Sequence, residues 1–449
     1  MSLITLMLIS FIFSGYWAVM VVVLSVSVMM SVINLFSSFP KLMVTEAVMS
    51  SPLGLLLTFL SLSLCLLSVI STPNVKEPLY IFMISLLGLV LLGVFNLSGL
   101  ISFYILFEFS LIPTLALIII WGYQPERLIS GAYMMLYTVG ASFPLFLTIL
   151  FVSGNTGSSN YMIICNSYLF HGGALVLMSL CLAFLVKLPM YTVHVWLPKA
   201  HVEAPLAGSM MLAGVLLKLG GYGLWVGLPL LKLSFSGGVL SVVVSLALWG
   251  GLISCVVCLR QVDVKSFVAY SSVAHMSLVI VGLMMNTQWG IASSTITMFA
   301  HGFTSSCMFC LAYFSYTKVF SRSLSLMGGF LALYPMLSLS WFLLCMINMA
   351  APPFMNMIGE LFIVPCLWYI GSLIFLVVMG VMVFFSGCYN MFLYTSIAHG
   401  SPNKLDNPSL GLLGSEFTSI TFHLLPMVLI FNMKYMMMYS SVLLFDQKL

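Results

Sequence analysis

Residues 184–223 read FLVKLPMYTVHVWLPKAHVEAPLAGSMMLAGVLLKLGGYG, an apolar run broken twice by proline. Lys187 stands just ahead of Pro189. Pro198 follows, then a short polar patch with Lys199, His201 and Glu203, then a second apolar run that carries Lys218. A lysine inside a membrane helix costs about 3 kcal/mol or more, so a chain keeps one where it pairs, faces the interior of a bundle or moves charge. Two such lysines flanking a broken segment point to the core of an ion path.

Composition supports placing this stretch in a membrane. Of 449 residues 62% are hydrophobic and 5% charged, with a mean hydropathy of +1.19, whereas soluble domains carry about 25% charged residues. So few charges cannot cover a water-facing surface, and the chain is read as an integral membrane protein. Only helices and closed barrels satisfy the backbone in lipid; the apolar runs are continuous rather than alternating, so the expected class is an all-α polytopic membrane protein. At about 20 residues per span, the runs at 2–36 (two short helices around Gly15), 52–71, 79–97, 99–121, 128–152, 168–197, 207–229, 236–258, 265–285, 290–317, 329–362, 368–395 and 411–440 predict about 14 transmembrane helices. The opening MSLITLMLISFIFSGYW has no basic or amphipathic leader and is read as the first span. The net charge of +4 gives no pointer to nucleic acid.

Basic residues orient the predicted spans. Loops after odd-numbered spans hold Lys76, Arg127, Lys199, Arg260, Lys265, Lys318, Arg322 and Lys404. The opposite loops hold Lys41 and Lys232, and the C-terminal end Lys434 and Lys448. The positive-inside rule then turns the odd-to-even loops to the cytoplasm or matrix.

Six ionisable residues remain inside apolar runs: Glu108, Lys187, Lys218, His275, His301 and Glu360. Burial moves a carboxyl and an amine toward neutral pH from opposite directions, and histidine titrates there unaided. A Glu108–Lys187 ion pair, with the other four residues and intervening waters, could therefore pass protons. Prolines 189, 198, 352 and 353 break two of the spans and free carbonyls for such a path. Glu108 and His275 stand at nearly the same separation as Lys187 and Glu360, a hint of internal repetition.

Other features read as packing. Cys255 and Cys258, and Cys307 and Cys310, form CxxC pairs inside apolar helical runs, without the polar knuckles of a metal site, and are expected to behave as small hydrophobes. Gly220, Gly221 and Gly223 are expected to allow close helix packing. Glu126 and Arg127 read as a loop pair, either solvated or gating.

Residues 184–223 resemble the NADH–ubiquinone oxidoreductase chain 4 family, the antiporter-like membrane-arm subunits of mitochondrial respiratory complex I. So do FYILFEFSLIPTLALIIIWGYQPERL (103–128), RQVDVKSFVAYSSVAHMSLVIVG (260–282) and AHGFTSSCMFCLAYF (300–314). The resemblance covers most of the chain and weakens in the first 75 and last 60 residues. It implies fourteen helices, with two inverted repeats and discontinuous helices 7 and 12. It implies half-channels at 99–229 and 236–400, peripheral helices at 1–98, and a C-terminal helix and tail at 401–449. It further implies that Glu108 and Lys187 switch, that Lys218, His275 and His301 relay, and that Glu360 leads out. The function implied is proton translocation across the mitochondrial inner membrane, driven by electron transfer elsewhere. NADH, FMN, iron–sulfur clusters and ubiquinone would be bound by partner subunits, with no cofactor or metal in this chain. Implied partners are the neighbouring antiporter-like chains 2 and 5, supernumerary subunits and lipids such as cardiolipin. The methionine load resembles an organelle-encoded member. A cation/proton antiporter subunit would use the same residues, and a non-conducting spacer would need none of them.

Overall fold

The computed structural model describes residues 2–38, 43–44, 48–166, 174–230, 237–402 and 411–428. Lys41, Lys232, Lys404, Lys434 and Lys448 of the loop tally, residues 168–173 of one predicted span and 429–440 of another lie outside them. The described chain is helical apart from one two-residue ladder, β1 (Met43–Val44) with β2 (Met49–Ser50).

In chain order the helices are α1 (Ser2–Ile12), α2 (Trp17–Ser38), α3 (Pro52–Ser71), α4 (Pro78–Asn96), α5 (Leu100–Phe109), α6 (Leu111–Trp121) and α7 (Arg127–Thr156). Then come α8 (Tyr161–Asn166), α9 (Ala174–Lys187), α10 (Trp196–Glu203), α11 (Leu206–Met211), α12 (Leu217–Leu230), α13 (Gly237–Cys258), α14 (Val264–Met284) and α15 (Gln288–Val319). Last are α16 (Phe330–Leu333), α17 (Pro335–Asn348), α18 (Met355–Ile370), α19 (Leu373–Ala398) and α20 (Gly414–Val428). Among the described residues ten helices, counting α5–α6 and α11–α12 as one each, are long and apolar enough to cross a membrane.

Local chemistry sets the ends. Ser51 caps α3, its hydroxyl accepting from the Gly54 N–H at 3.0 Å, with Pro52 in the first turn where a missing N–H costs nothing. Thr287 caps α15 in the same way through the Gly290 N–H at 3.1 Å. Hydroxyls inside the spans bond back along their own helix, as Ser272 does to the Ala269 carbonyl (2.6 Å), which satisfies them where water is excluded.

The bundle exposes apolar side chains and buries a few charged ones within an otherwise apolar interior. Leu136, Phe143 and Leu147 of α7 are exposed, whereas Lys187 and Lys218 are at most 2% exposed and His275 and His301 are buried. The 32-residue α15 runs through the middle, packing on α3, α11, α14, α17, α18 and α20. Of the N-terminal helices, α2 has little of its length buried, while α3 is mostly buried and packs on α11, α15 and α20.

Several predicted spans differ in detail. Glu108 lies well inside the span Leu100–Trp121, which is interrupted only at Ser110, because Pro113 has no N–H to return to the Phe109 carbonyl. The predicted span 207–229 contains a π turn over Leu212–Leu216. The predicted 329–362 divides into α16, α17 and the first half of α18, so the next span starts at Leu373 rather than 368. Lys265, expected in a loop, lies in the first turn of α14 and is buried, because two carbonyls of the α10–α11 corner accept from it.

The two proline breaks are closed alike. After α9 the Met190 N–H reaches the Leu185 carbonyl (3.0 Å), and Trp196 Nε1, at the start of α10, donates to the Val186 carbonyl (3.1 Å). After α17 the Ala351 N–H reaches the Met346 carbonyl (3.1 Å), and Asn356 Nδ2, at the start of α18, donates to the Ile347 carbonyl (2.9 Å). In each case a side chain of the resuming helix donates to a carbonyl in the last turn before the break, at Ile347 beside the Ala350 N–H that this carbonyl also accepts.

Glycines let α12 sit on α9: a Cβ on Gly223 would meet the Phe184 ring at 2.2 Å, and one on Gly220 the Phe184 carbonyl at 3.0 Å. The α14–α15 crossing is tighter, backbone on backbone. A Cβ on Gly290 would meet the Gly282 carbonyl oxygen at 2.4 Å. Gly290→Ala is expected to destabilise the chain by about 1–3 kcal/mol, as overpacking does, and Gly380→Ala, which meets nothing within 4 Å, to leave it unchanged. Thermal melting followed by native gel measures both.

Candidate functional site

The site is a line of buried polar side chains along the centre of the bundle. Lys218 stands in the first turn of α12, just past the π turn. Its Nζ donates to the Ala213 carbonyl of that turn at 2.6 Å and lies 3.0 Å from Nδ1 of His301. The π turn thus supplies a carbonyl to hold the ammonium. His301, on α15, faces His275, on α14, with ring centroids 5.6 Å apart. His275 Nδ1 is 3.5 Å from Glu360 Oε1 on α18, and Tyr389 Oη lies 3.5 Å from His275 Nε2. Lys218, His301, His275 and Glu360, drawn from four helices, are therefore brought together in that order.

Glu108 and Lys187 stand apart from that line. Their expected direct ion pair is not formed. Lys187 Nζ donates to the Phe107 carbonyl at 3.2 Å and sits 3.3 Å from the centroid of the Phe107 ring. One oxygen of the Glu108 carboxyl is buried without a hydrogen-bond partner, with Ser142 and the Lys187 charge close by. Lys187 closes α9, so its stem is fixed at the break; its ammonium takes a carbonyl and a ring face in place of the carboxylate.

Glu126 and Arg127 do not pair. Glu126 is exposed beside the first turn of α7, and Arg127 donates to the Gly122 carbonyl at 2.7 Å, tying down the Gly122–Glu126 corner. The CxxC sulfurs are buried among apolar groups; Cys310 Sγ lies 3.3 Å from Met210 Sδ. No group of three metal-ligating side chains occurs among the described residues.

What such a line can do is pass a proton. Each member has one protonation state that donates and one that accepts, and the line is buried along its length. The step from His301 to His275 is longer than a hydrogen bond and suits a bridging water.

Residues 97–386 match the family model described as NADH:quinone oxidoreductase/Mrp antiporter, TM. The chain is 47% identical, over 92% of its length and 94% of the relative's, to NADH-ubiquinone oxidoreductase chain 4 of Albinaria caerulea. The chain belongs to this family. The chain 4 relative of Lumbricus terrestris is 37% identical over 96% of both chains. In three dimensions the fold is similar to a chain of respiratory complex I from Thermus thermophilus, solved with bound NADH (TM-score 0.88, 19% identity, 98% of both chains). It is also similar to a chain of the Mrp complex from Dietzia sp. DQ12-45-1b (TM-score 0.79, 17% identity, 92% of this chain and 83% of that one). The chain 4 family fold is therefore a multi-pass, all-helical membrane bundle of antiporter-like type.

Sequence reading passed over three contributors to this family member's site. Tyr389 and Asn390 stand as a polar pair inside an apolar run, which was the available signal. Tyr389 reaches His275, and Asn390 Oδ1 accepts from Asn348 Nδ2 at 3.0 Å, locking the end of α17 to α19 just before the break. The π turn at Leu212–Leu216 left no mark in the sequence.

Proposed function

We propose that this chain is a proton-translocating membrane subunit of NADH:ubiquinone oxidoreductase, respiratory complex I, acting in the mitochondrial inner membrane. One observation carries the reading: Lys218, His301, His275 and Glu360 form a buried chain of titratable groups at the bundle centre. Glu108 and Lys187, which stand apart from that line, are the switching pair that feeds it. A change in charge beside Glu108 draws its carboxylate toward the Lys187 ammonium or releases it, and that alters how readily Lys187 yields a proton toward Lys218. Lys218 and the two histidines relay it, and Glu360 passes it outward or to a neighbouring subunit.

The same reading extends to the architecture. Fourteen passes result from the ten full-length helices together with α1, α20 and the broken pairs α9–α10 and α17–α18. Two inverted half-channels, at 99–229 and 236–400, are supported by the like-for-like closure of the two breaks. Residues 1–98 and 401–449 flank them, and the odd-to-even loops face the matrix. NADH, FMN, iron–sulfur clusters and ubiquinone belong to partner subunits, among which the antiporter-like chains 2 and 5 are the neighbours. Supernumerary subunits and cardiolipin cover the apolar exterior.

The test is Glu108→Gln in the intact complex, reconstituted in vesicles, with NADH-to-quinone electron transfer and proton uptake recorded together and assembly checked by native gel. We expect an assembled complex whose pumping falls. Unchanged assembly, electron transfer and protons per electron would make Glu108 structural.

A further inference from the structure

His275 is held from two sides. Its Nδ1 lies 3.5 Å from Glu360 Oε1 on α18, and its Nε2 lies 3.5 Å from Tyr389 Oη on α19. Tyr389 is completely buried. Its ring stands edge-on to Phe267 of α14, with centroids 5.7 Å apart and planes at 73°. A phenylalanine would fill the same space. A buried hydroxyl without a partner is costly, and His275 supplies one. The next residue anchors this part of α19: Asn390 accepts from Asn348 of α17 at 3.0 Å and donates to the Ser386 carbonyl at 2.8 Å.

The polarity of the two contacts follows from the groups. Glu360 as a carboxylate only accepts, so the nitrogen facing it carries a hydrogen. A neutral imidazole has one N–H, so Nε2 then presents a bare lone pair and needs a donor. The Tyr389 hydroxyl is that donor. Both contacts are long, as bonds of a resting site often are, and neither alone stops the ring from turning over about Cβ–Cγ. A half-turn would put Cδ2 where Nδ1 stands and Cε1 where Nε2 stands. It would lose both bonds at once, so the hydroxyl resists the turn from the edge of the ring that Glu360 does not reach.

We propose that Tyr389 is a positioning residue for the transfer between His275 and Glu360: its hydroxyl keeps the Nδ1 edge of the imidazole turned to the carboxylate through the whole cycle. At rest the hydroxyl donates to Nε2. When a second proton arrives on Nε2, the hydroxyl turns about its C–O bond and accepts from it instead. The Nδ1–H bond then breaks as an O–H bond forms on Glu360. The ring is left neutral with its hydrogen on Nε2, still paired to Tyr389. Tyr389 itself gains and loses no proton. It acts through His275, and the proposal rests on the reading of His275 and Glu360 as relay groups.

The test places Tyr389→Phe, His275→Gln and the double variant in the intact complex, and scores native-gel assembly, electron transfer and protons per electron. The infrared band of isotope-labelled histidine that His275→Gln removes is recorded beside them, since its position differs between the two tautomers of the ring. Tyr389→Phe is expected to assemble, to pump about tenfold less, within the net worth of one hydrogen bond, and to shift that band. In the His275→Gln background it should cost nothing further. Normal pumping or an unshifted band in assembled Tyr389→Phe, beside a defective His275→Gln, overturns the positioning role and leaves the relay standing. A loss that persists in full in the double variant also overturns it, since Tyr389 then acts elsewhere. Normal pumping in His275→Gln removes the relay, and the role of Tyr389 with it. If Tyr389→Phe does not assemble, Tyr389→Gln and Tyr389→Leu replace it. Pumping kept by Gln, which retains a donor, and lost by Leu supports the proposal. Any other pattern, failure to assemble included, overturns it and makes Tyr389 a packing residue.

Discussion

Lys218→Met is expected to give an assembled complex in which proton translocation through this chain falls by roughly a hundredfold, within the range a positioned proton-transfer group supplies. Electron transfer should fall with it, because the two are coupled. Lys218 carries the nitrogen that joins the π-turn carbonyl of Ala213 to His301. Methionine matches the stem in length and packs in the same apolar sleeve. Losing the ammonium leaves the Ala213 carbonyl unpaired, at about 1–3 kcal/mol. It also lifts the desolvation penalty of a fully buried cation, which is several kcal/mol. The relief is at least as large as the loss, so folding survives while the path is cut. Vesicle acidification per NADH oxidised, beside a native gel, measures the split. Full pumping in an assembled variant would exclude Lys218 from the path.

Glu360→Gln should have the second large effect. The carboxylate is the acceptor facing His275 at 3.5 Å, at the far end of the line. Glutamine keeps its shape and can still bond to the imidazole, but it cannot take up a proton. Pumping should again fall by roughly a hundredfold with assembly intact. Because His275 and Glu360 act in series, His275→Gln and Glu360→Gln combined should cost little more than either alone. Additive losses would mean the two residues serve separate routes.

The six candidate residues were legible because charge inside an apolar run is costly wherever it occurs, and that cost is visible one residue at a time. Their order was not. Lys218 meets His301 across 83 positions of sequence, and no spacing rule relates α12 to α15. The Glu108–Lys187 ion pair was expected on charge alone; the end of α9 instead aims the ammonium at the Phe107 carbonyl and ring. Lys265 misled for the opposite reason. It stands at a helix start, where lysines usually snorkel to water, and only the packing of the α10–α11 corner over α14 turns it inward. His201 and Glu203 read as part of a polar loop patch, and their burial depends on Phe309 and the Gly122 corner, far away in the chain.

Composition and apolar run length by themselves determined that this protein is a helical membrane bundle. In lipid every backbone group must be satisfied within its own segment, which makes each span a local property. Proline positions determined where two of those spans break, since a missing N–H acts within one turn. Which polar side chains touch, which carbonyls hold a lysine, and where a π turn opens were decided by the tertiary structure alone. Hydrogen bonds between helices depend on crossings set by glycines and core side chains from the whole chain, and an ångström there separates a relay from a set of isolated charges.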